Sequence, residues 1–347
     1  LVDAAEGLAA AAPVATPAGL PPVHKLGKVF DSPIHFEAVS PNKRMLLKTP
    51  AVDPVYNWTA RLGLPEFCQA PPLGKSQFRC KHTHLFEVHQ VLYTGYQKTV
   101  YLVVYEGVRY VLKSDQEEGL RGFKRNTHSG AQSRQSFIMK EWQLAQQFGE
   151  TNGFAKPVGY CFHSQHTWSL WPYYERGVFP AASSSPKALQ RLKMALSLAQ
   201  MHTCIAHLPT GQYYYIMDNK PKQYVVDRDW NVLLVDFDGL NLLSEGERLW
   251  EDRPCYRERN CLFPQSTDRS PESKKCVRPT SAAGKCYGAD QASQIWNLGY
   301  ALLSSIEDAA EIREQCLQGP IHRRPSGMQI VQMLQDQIRH LSSHVGV

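Results

Sequence analysis

Residues 216–239 read IMDNKPKQYVVDRDWNVLLVDFDG. Two short apolar runs in this stretch, QYVV and VLLV, flank a tight turn at Trp230-Asn231, which predicts a small β-hairpin. Asp218 stands before the hairpin, and Asp236 ends its second, buried strand. Either carboxylate taken alone is more typical of a turn or a helix cap. The inference from this stretch therefore depends on the elements that surround it.

The strands and helices predicted around the hairpin indicate an α+β chain rather than an alternating, doubly wound sheet. Five strand-like runs with one inserted helical run come first, and mainly helical runs follow. The predicted strands lie at 84–93, 99–107, 108–114, 154–162 and 167–174, the inserted helix at 137–148, and the later helices at 187–207, 292–307, 311–317 and 324–341. This order predicts a small sheet-rich lobe and a larger helical lobe.

A second set of charged residues lies on the predicted sheet and its inserted helix. Lys113 is on the third strand, after a hairpin whose turn contains Gly95, and Glu141 is on the helix. Phosphoryl transfer needs a cation on the nucleotide phosphates and a carboxylate from a neighbouring helix to hold that cation. A lone strand lysine is normally a solvated edge residue, but chance is a poor explanation for the whole ordered set. That set comprises Gly95, Lys113, Glu141, Asp218, Lys220, Gln223 and Asp236.

The spacing in the opening stretch matches a known catalytic pattern. A protein-kinase catalytic loop has the form H-R-D-x-x-x-x-N and is followed by the metal-binding D-F-G. Asp218 and Gln223 reproduce this spacing, and Asp236-Phe237 supplies the Asp-Phe pair. On these residues the chain resembles a protein kinase. The resemblance implies a bilobal kinase-like domain over 84–345, with a β-rich N-lobe at 84–177 and a larger helical C-lobe at 178–345.

Among kinases, the chain is most similar to the divergent kinases of the secretory pathway, in particular the vertebrate lonesome kinase family of extracellular tyrosine kinases. The likeness rests on TGYQKTVY (94–101), DNKPKQYVV (218–226), DFDG (236–239) and a segment with Cys255, Cys261, Cys276 and Cys286. The protein O-mannose kinase family has a similar layout but is more distant. The resemblance implies an ATP-dependent enzyme that phosphorylates tyrosine on secreted or luminal proteins, in the Golgi lumen or outside the cell.

The resemblance also assigns the nucleotide-binding residues. Lys113, oriented by Glu141, would hold the α- and β-phosphates of ATP. Gly95 and Lys98 belong to the reduced glycine-rich turn and would contact the nucleotide as well. The adenine would lie between the lobes near residues 170–175.

The resemblance assigns the remaining polar residues to the binding of the metal and of the acceptor hydroxyl. Asp236 and Gln223 would bind Mg²⁺ or Mn²⁺. Asp218 would accept the proton of the attacking hydroxyl or orient it, and Lys220 would offset charge on the γ-phosphate. Asp238 occupies the usual glycine position of D-F-G, either as an extra metal ligand or as a turn-stabilising residue.

Length, charge and hydropathy limit the partners and the class of protein. The chain has 347 residues and a net charge of +6 without a dense Lys/Arg run, so no nucleic-acid partner is predicted. No apolar stretch is long enough for a transmembrane segment, and we expect that a signal peptide or anchor has been removed. Residues 1–22 predict an Ala/Pro-rich stem or linker. Residues 23–83 predict an irregular extension packed on the main domain, with an N-glycosylation sequon at Asn57.

The nine cysteines favour disulfides in an oxidising compartment over a zinc site. Those of the long polar loop are spaced too widely for structural zinc pairs, so we expect disulfides that pin this loop. Cys68 and Cys80 are plausible partners of each other or of Cys161. Cys204 and Cys316 lie on predicted helices, where we expect buried free thiols.

Three functions are compatible with these patterns. The leading hypothesis is a secreted or luminal tyrosine kinase. The second is a glycan kinase of the O-mannose type, whose acceptor is a sugar hydroxyl. The third is a pseudokinase that acts as a binding scaffold, suggested by the thinned glycine turn and by Ile216-Met217 in place of His-Arg. The joint retention of Lys113, Glu141, Asp218 and Asp236 argues against the scaffold.

Overall fold

The computed structural model describes most of the chain from residue 65 onwards, together with a two-residue strand near the beginning. The described residues are 24–25, 65–69, 76–95, 98–115, 129–148, 151–162, 167–179, 187–206, 212–237, 239–244, 246–249, 251, 253–256, 261, 270–277, 284–319 and 321–345. The stem predicted at 1–22, the sequon at Asn57 and Asp238 lie outside them.

A six-stranded antiparallel sheet forms the strand-rich part of the molecule. Its order is β1-β2-β3-β4-β6-β5, so the predicted meander and the two later strands are present. The strands are β1 (His24–Lys25), β2 (Glu87–Thr94), β3 (Thr99–Tyr105), β4 (Val108–Ser114), β5 (Gly159–Phe162) and β6 (Thr167–Pro172). The strand predicted from residue 84 begins instead at Glu87, because Cys80–Leu85 form a 3-10 helix.

Five α-helices in the described residues complete the α+β fold. They are α1 (Ser129–Gln147), α2 (Ala188–Ala206), α3 (Gln291–Asn297), α4 (Ala310–Cys316) and α5 (Gly327–Val345). Helix α1 is the one predicted between the third and fourth strands, and it starts earlier than expected. The single helix predicted over 292–307 is instead irregular, since α3 continues as a π-helix at Leu298–Leu302 and a 3-10 turn at Leu303–Ser305.

The largest hydrophobic core is built around α2. From Met194 to Ile205 this helix buries residues on nearly all sides, and it packs against α5. Leu196 of this helix is only partly buried against the core. A helix that is apolar all round belongs in the interior, where each fully buried large side chain contributes about 1.5–3 kcal/mol. A second core lies against the sheet and includes Phe86 and Trp168.

The opening stretch forms the predicted hairpin, and one further strand pair flanks it. The hairpin consists of β8 (Tyr224–Val226) and β9 (Val232–Leu234), while β7 (Gln212–Ile216) pairs with β10 (Leu240–Ser244). In the hairpin turn, Trp230 has φ 70°, a left-handed conformation that is unusual for a large side chain. The Arg176 guanidinium lies 3.8 Å from the Trp230 ring centroid and covers this turn. The two strand pairs fix the chain on both sides of Asp218 and Asp236.

Four disulfides cross-link the described residues, and one cysteine, Cys316, is free and buried. The bonds are Cys68–Cys204, Cys80–Cys161, Cys255–Cys276 and Cys261–Cys286. The prediction for Cys204 was wrong, since its sulfur ties helix α2 to the N-terminal extension. The chain before the sheet is therefore anchored to both the sheet and the helical core.

The two disulfides of the polar loop join three short strands, β11 (Pro254–Cys255), β12 (Cys276–Val277) and β13 (Gly284–Cys286). The Sγ atoms of Cys255, Cys261 and Cys286 lie within 4.8 Å of one another, which alone could suggest a metal site. Each of these sulfurs is already in a disulfide, so none is a thiolate ligand. The expectation of disulfides in this loop is confirmed.

The disulfides are consistent with a secreted or luminal protein, because such bonds persist in oxidising compartments. Within the described part of the chain, no helix combines the length and the apolar character needed to cross a membrane.

The long-range disulfide should stabilise the fold most. Cys68–Cys204 spans 136 residues and Cys255–Cys276 only 21, and the larger loop removes more entropy from the unfolded chain. Cys68→Ala/Cys204→Ala should lower the free energy of unfolding by about 4–5 kcal/mol and Cys255→Ala/Cys276→Ala by about 3 kcal/mol. Urea unfolding of the two double variants checks this order, and equal losses would contradict it.

His202 on α2 should make stability depend on pH. The side chain is 1% exposed, and neither ring nitrogen has a hydrogen-bond partner among the described residues. Burial lowers the pKa of His202 to about 3. Between about pH 6.5 and 3 the unfolded chain therefore binds a proton that the folded protein does not, and stability falls by up to about 1.4 kcal/mol per pH unit as the pH drops. His202→Leu should flatten this slope in urea titrations, while the exposed control His322→Gln should keep it.

Candidate functional site

Glu141 is a buried carboxylate at the centre of the candidate site. It is 0% exposed and shares the inward face of α1 with Ile138 and Ala145, at the spacing of successive helical turns. A charge in such a position must be paired, because burial without a partner is very costly. Both oxygens of Glu141 are in fact paired with lysines, Lys113 at Oε1 and Lys98 at Oε2.

Lys113 reaches Glu141 from an interior strand. In β4 it lies opposite Val100 of β3 and Ser169 of β6. Its Nζ donates to Glu141 Oε1 and to the carbonyl oxygen of Val235, and it lies 4.5 Å from the centroid of the Trp171 ring. Desolvation lowers the pKa of Lys113, and the neighbouring Glu141 carboxylate opposes part of this shift.

Lys98 connects Glu141 to Asp236. The residue directly precedes β3, and its side chain is 8% exposed. Its Nζ donates to Glu141 Oε2 at 3.1 Å and to Asp236 Oδ1 at 2.7 Å. Lys113, Glu141, Lys98 and Asp236 thus form a chain of alternating charge, which we call the ion-pair cluster. Two ammonium groups and two carboxylates balance, as a buried charged site requires.

Gly95 forms the turn that precedes Lys98. Its backbone N–H donates to the carbonyl oxygen of Lys98 at 3.0 Å. A Cβ atom at Gly95 would lie 2.6–2.9 Å from the outer atoms of the Tyr93 side chain, so any other residue here requires this exposed side chain to move. The Tyr93 ring in turn lies 5.7 Å from Lys222 Nζ, within the range of a cation–π contact. The end of strand β2 therefore approaches the segment that follows Asp218.

Asp218, Lys220 and Gln223 contact one another in the loop before the hairpin. Lys220 Nζ lies 2.8 Å from Asp218 Oδ1 and 3.0 Å from Oδ2. Gln223 Nε2 donates to Asp218 Oδ2 at 2.7 Å, and Gln223 Oε1 accepts from the backbone N–H of Lys220 at 3.2 Å. These three residues, which we call the Asp218 triad, form one hydrogen-bonded unit.

Backbone hydrogen bonds bring the triad and the ion-pair cluster together. Val235 N–H donates to the Gln223 carbonyl at 2.9 Å, and Met217 N–H donates to the Gly239 carbonyl at 2.9 Å. Phe237 N–H lies 3.4 Å from Glu141 Oε1, and the Phe237 ring is fully buried against Trp171. The segment that contains Asp236 is thus held from both sides.

The eight residues singled out from the sequence therefore fall into two adjacent groups. Gly95, Lys98, Lys113, Glu141 and Asp236 belong to the ion-pair cluster or its turn, and Asp218, Lys220 and Gln223 form the triad. Asp238 lies outside the described residues, so its two candidate roles stay predictions.

Asp236 and Gln223 differ in how well they fit a divalent cation. The Asp236 carboxylate is a hard oxygen donor with 24% of its side chain exposed, which fits Mg²⁺ or Mn²⁺. The amide oxygen of Gln223, however, accepts from Lys220 N–H, and its NH₂ group faces a carboxylate. As placed, Gln223 does not fit the metal role expected for it.

One buried ion pair was missed by the sequence reasoning. Arg324 donates from Nη1 and Nη2 to the two carboxylate oxygens of Glu272, at 2.9 and 2.8 Å. Arg324 also donates to the carbonyls of Gln318 and Ala292, so it fixes Glu272, in the middle of the cysteine-bearing segment, against the helices. The sequence signal for this pair was the tripeptide Ser270-Pro271-Glu272, which lies inside this segment between Cys261 and Cys276.

Glu141 should be the most sensitive residue of the ion-pair cluster for stability. Glu141→Ala leaves two buried ammonium groups without their shared carboxylate and should lower the free energy of unfolding by about 3–5 kcal/mol. Lys98→Met should cost less, since Glu141 keeps Lys113 and Asp236 retains some exposure. Urea unfolding measures both, with Lys193→Met on the exposed face of α2 as control. A smaller loss for Glu141→Ala than for Lys98→Met would contradict the assignment.

No protein-family model matches the chain, and no curated protein is similar to it in sequence.

Proposed function

We propose that this protein is an ATP-dependent phosphotransferase of the secretory pathway, in the Golgi lumen or outside the cell, that phosphorylates tyrosine on secreted or luminal proteins. The observation that carries the proposal is the ion-pair cluster, in which Glu141 from a helix holds Lys113 from an interior strand beside Asp236. A strand lysine held by a helical glutamate, next to an aspartate before phenylalanine, is the arrangement that protein kinases use for ATP and metal.

The architecture supports the same proposal. An antiparallel sheet with one inserted helix precedes a helical core, as in the two lobes of a protein kinase. Under this proposal the sheet is the N-lobe, α2 to α5 belong to the C-lobe, and the nucleotide lies between them. The segment after β6, at 170–175, is then the hinge beside the adenine.

Each charged residue then has a chemical role. Lys113 and Lys98 hold the phosphates of the nucleotide, and Glu141 fixes both ammonium groups beforehand, so no reorganisation is needed during the reaction. Asp236 holds a divalent cation, which neutralises charge on the phosphates when bound. Asp218 orients the acceptor hydroxyl and receives its proton.

Lys220 and Gln223 support Asp218. The ammonium group of Lys220, 2.8 Å from Asp218, lies where it can offset charge on the transferred phosphoryl group. The NH₂ group of Gln223 fixes the Asp218 carboxylate from the other direction.

The segment between Asp236 and Glu272 follows the order of motifs found in protein kinases. It also bears on how the proposed enzyme is regulated. Ser270-Pro271-Glu272 stands where protein kinases have A-P-E, with the activation loop before it. Ile216-Met217 replace the His-Arg that would pair with a phosphorylated activation loop. Because two disulfides hold this segment, we propose that activity does not depend on its phosphorylation.

An acceptor assay tests the function. The purified protein, with disulfides intact, is incubated with labelled ATP and Mg²⁺ or Mn²⁺, with tyrosine-containing secreted proteins and mannosyl glycans offered in parallel. We expect label on phosphotyrosine, reduced roughly 10²–10³-fold in Lys113→Met and Asp236→Ala. Lys193→Ala, on the exposed face of α2, is the matched lysine control and should retain full activity.

The other outcomes separate the alternatives. Label on the glycan would keep phosphoryl transfer but replace the tyrosine acceptor with a sugar hydroxyl. No label above Asp236→Ala on either acceptor would reject both enzyme proposals in favour of a scaffold. Loss of activity after phosphatase treatment would reject the proposed independence from loop phosphorylation.

A further inference from the structure

The two residues expected to carry metal are both engaged by other side chains. Protein kinases hold two Mg²⁺ ions, with the D-F-G aspartate and the catalytic-loop asparagine as ligands. The corresponding positions here are Asp236 and Gln223. Asp236 Oδ1 accepts from Lys98 Nζ at 2.7 Å, and both polar atoms of the Gln223 side chain are used within the Asp218 triad.

The orientation of the Gln223 amide follows from its partners. A backbone N–H, that of Lys220, can only donate, so the atom facing it must be the amide oxygen. An ionised carboxylate, that of Asp218, can only accept, so the atom facing it must be the NH₂ group. If the amide were flipped, its NH₂ group would face the Lys220 N–H, which is also a donor, and its oxygen would face the Asp218 carboxylate, which is also an acceptor. Gln223 is also 5% exposed at the end of a 3-10 turn, Pro221–Gln223, which fixes its backbone.

Lys98 supplies a positive charge beside Asp236. Its ammonium group contacts Asp236 and Glu141 at once and is almost fully buried, so it is positioned rather than mobile on the surface. An ammonium group acts as a point charge and can bind phosphate oxygens in place of a metal cation. It needs no further oxygen ligands from the protein, whereas Mg²⁺ requires near-octahedral oxygen coordination.

We propose that this site operates with one divalent cation, held by Asp236, and that Lys98 takes the place of the second. Gln223 is then a positioning residue for Asp218 and not a metal ligand. The inference rests on the proposed function, because it concerns the same nucleotide site. In this proposal Lys98 contacts the nucleotide phosphates when ATP is bound.

Counting bound Mn²⁺ tests this proposal without measuring turnover. Electron paramagnetic resonance reports free Mn²⁺ during titration of the full chain in the presence of a saturating non-hydrolysable ATP analogue. We expect one Mn²⁺ per protein in the wild type and in Gln223→Ala, with affinities within about twofold. Gln223→Met, of similar volume, repeats the measurement if the alanine variant is poorly folded.

Lys98→Ala gives the complementary result. Removal of this charge-assisted contact should weaken binding of the nucleotide analogue about tenfold to a hundredfold. The matched control, Lys193→Ala on the exposed face of α2, should not change it.

The failures of the two proposals are distinguishable. Two Mn²⁺ in the wild type and one in Gln223→Ala would overturn the one-metal inference and leave the proposed phosphotransferase intact. If Lys98→Ala bound the nucleotide analogue with unchanged affinity, Lys98 would not be a phosphate-binding residue. If the wild type bound no Mn²⁺ that depends on the nucleotide, the proposed function itself would fall, and this inference with it.

Discussion

The contact on which the rest of the site depends is the pairing of Glu141 with two lysines. A carboxylate at 0% exposure is tolerable only with partners, and those partners come from separate parts of the chain. Lys113 is fixed by an interior strand, and Lys98 by the turn before β3. Because Lys98 also reaches Asp236, a single buried carboxylate sets the relative positions of helix α1, the sheet and the segment after β9. A change at Glu141 therefore reaches all three.

The remainder of the fold keeps this pairing in place. The β8–β9 hairpin returns the chain so that Val235 binds Gln223, and the Asp218 triad lies beside the ion-pair cluster as a result. Cys68–Cys204 and Cys80–Cys161 attach the N-terminal extension to helix α2 and to the sheet, respectively. The disulfides of the cysteine-bearing segment and the Glu272–Arg324 pair hold the chain that follows Asp236.

Local patterns in the sequence predicted most elements of the fold but few of the contacts. Apolar periodicity located the five strands, the inserted helix and the hairpin, since each depends on residues close in sequence. The Cys68–Cys204 bond and the Glu272–Arg324 pair were not foreseen, because they join residues far apart along the chain. The residues of the candidate site were likewise singled out from the order in which they occur along the chain. What the order did not reveal is that Lys98 would reach Asp236 and that the Gln223 amide would turn towards Asp218, since both depend on side-chain geometry in three dimensions.

The claim that matters most for function is that Lys98 and Lys113 line a site for nucleotide phosphates. An acyl phosphate of ATP tests it most directly, since a lysine amine next to the phosphates attacks the acyl carbon, forms an amide and releases ATP. The desolvation that lowers the pKa of Lys113 favours the neutral amine that this reaction needs. Peptide mapping after treatment should find the acyl group on Lys113 or Lys98, and excess ATP with Mn²⁺ should prevent the labelling. Labelling confined to exposed lysines such as Lys193, or labelling at the site that ATP does not reduce, would contradict the claim.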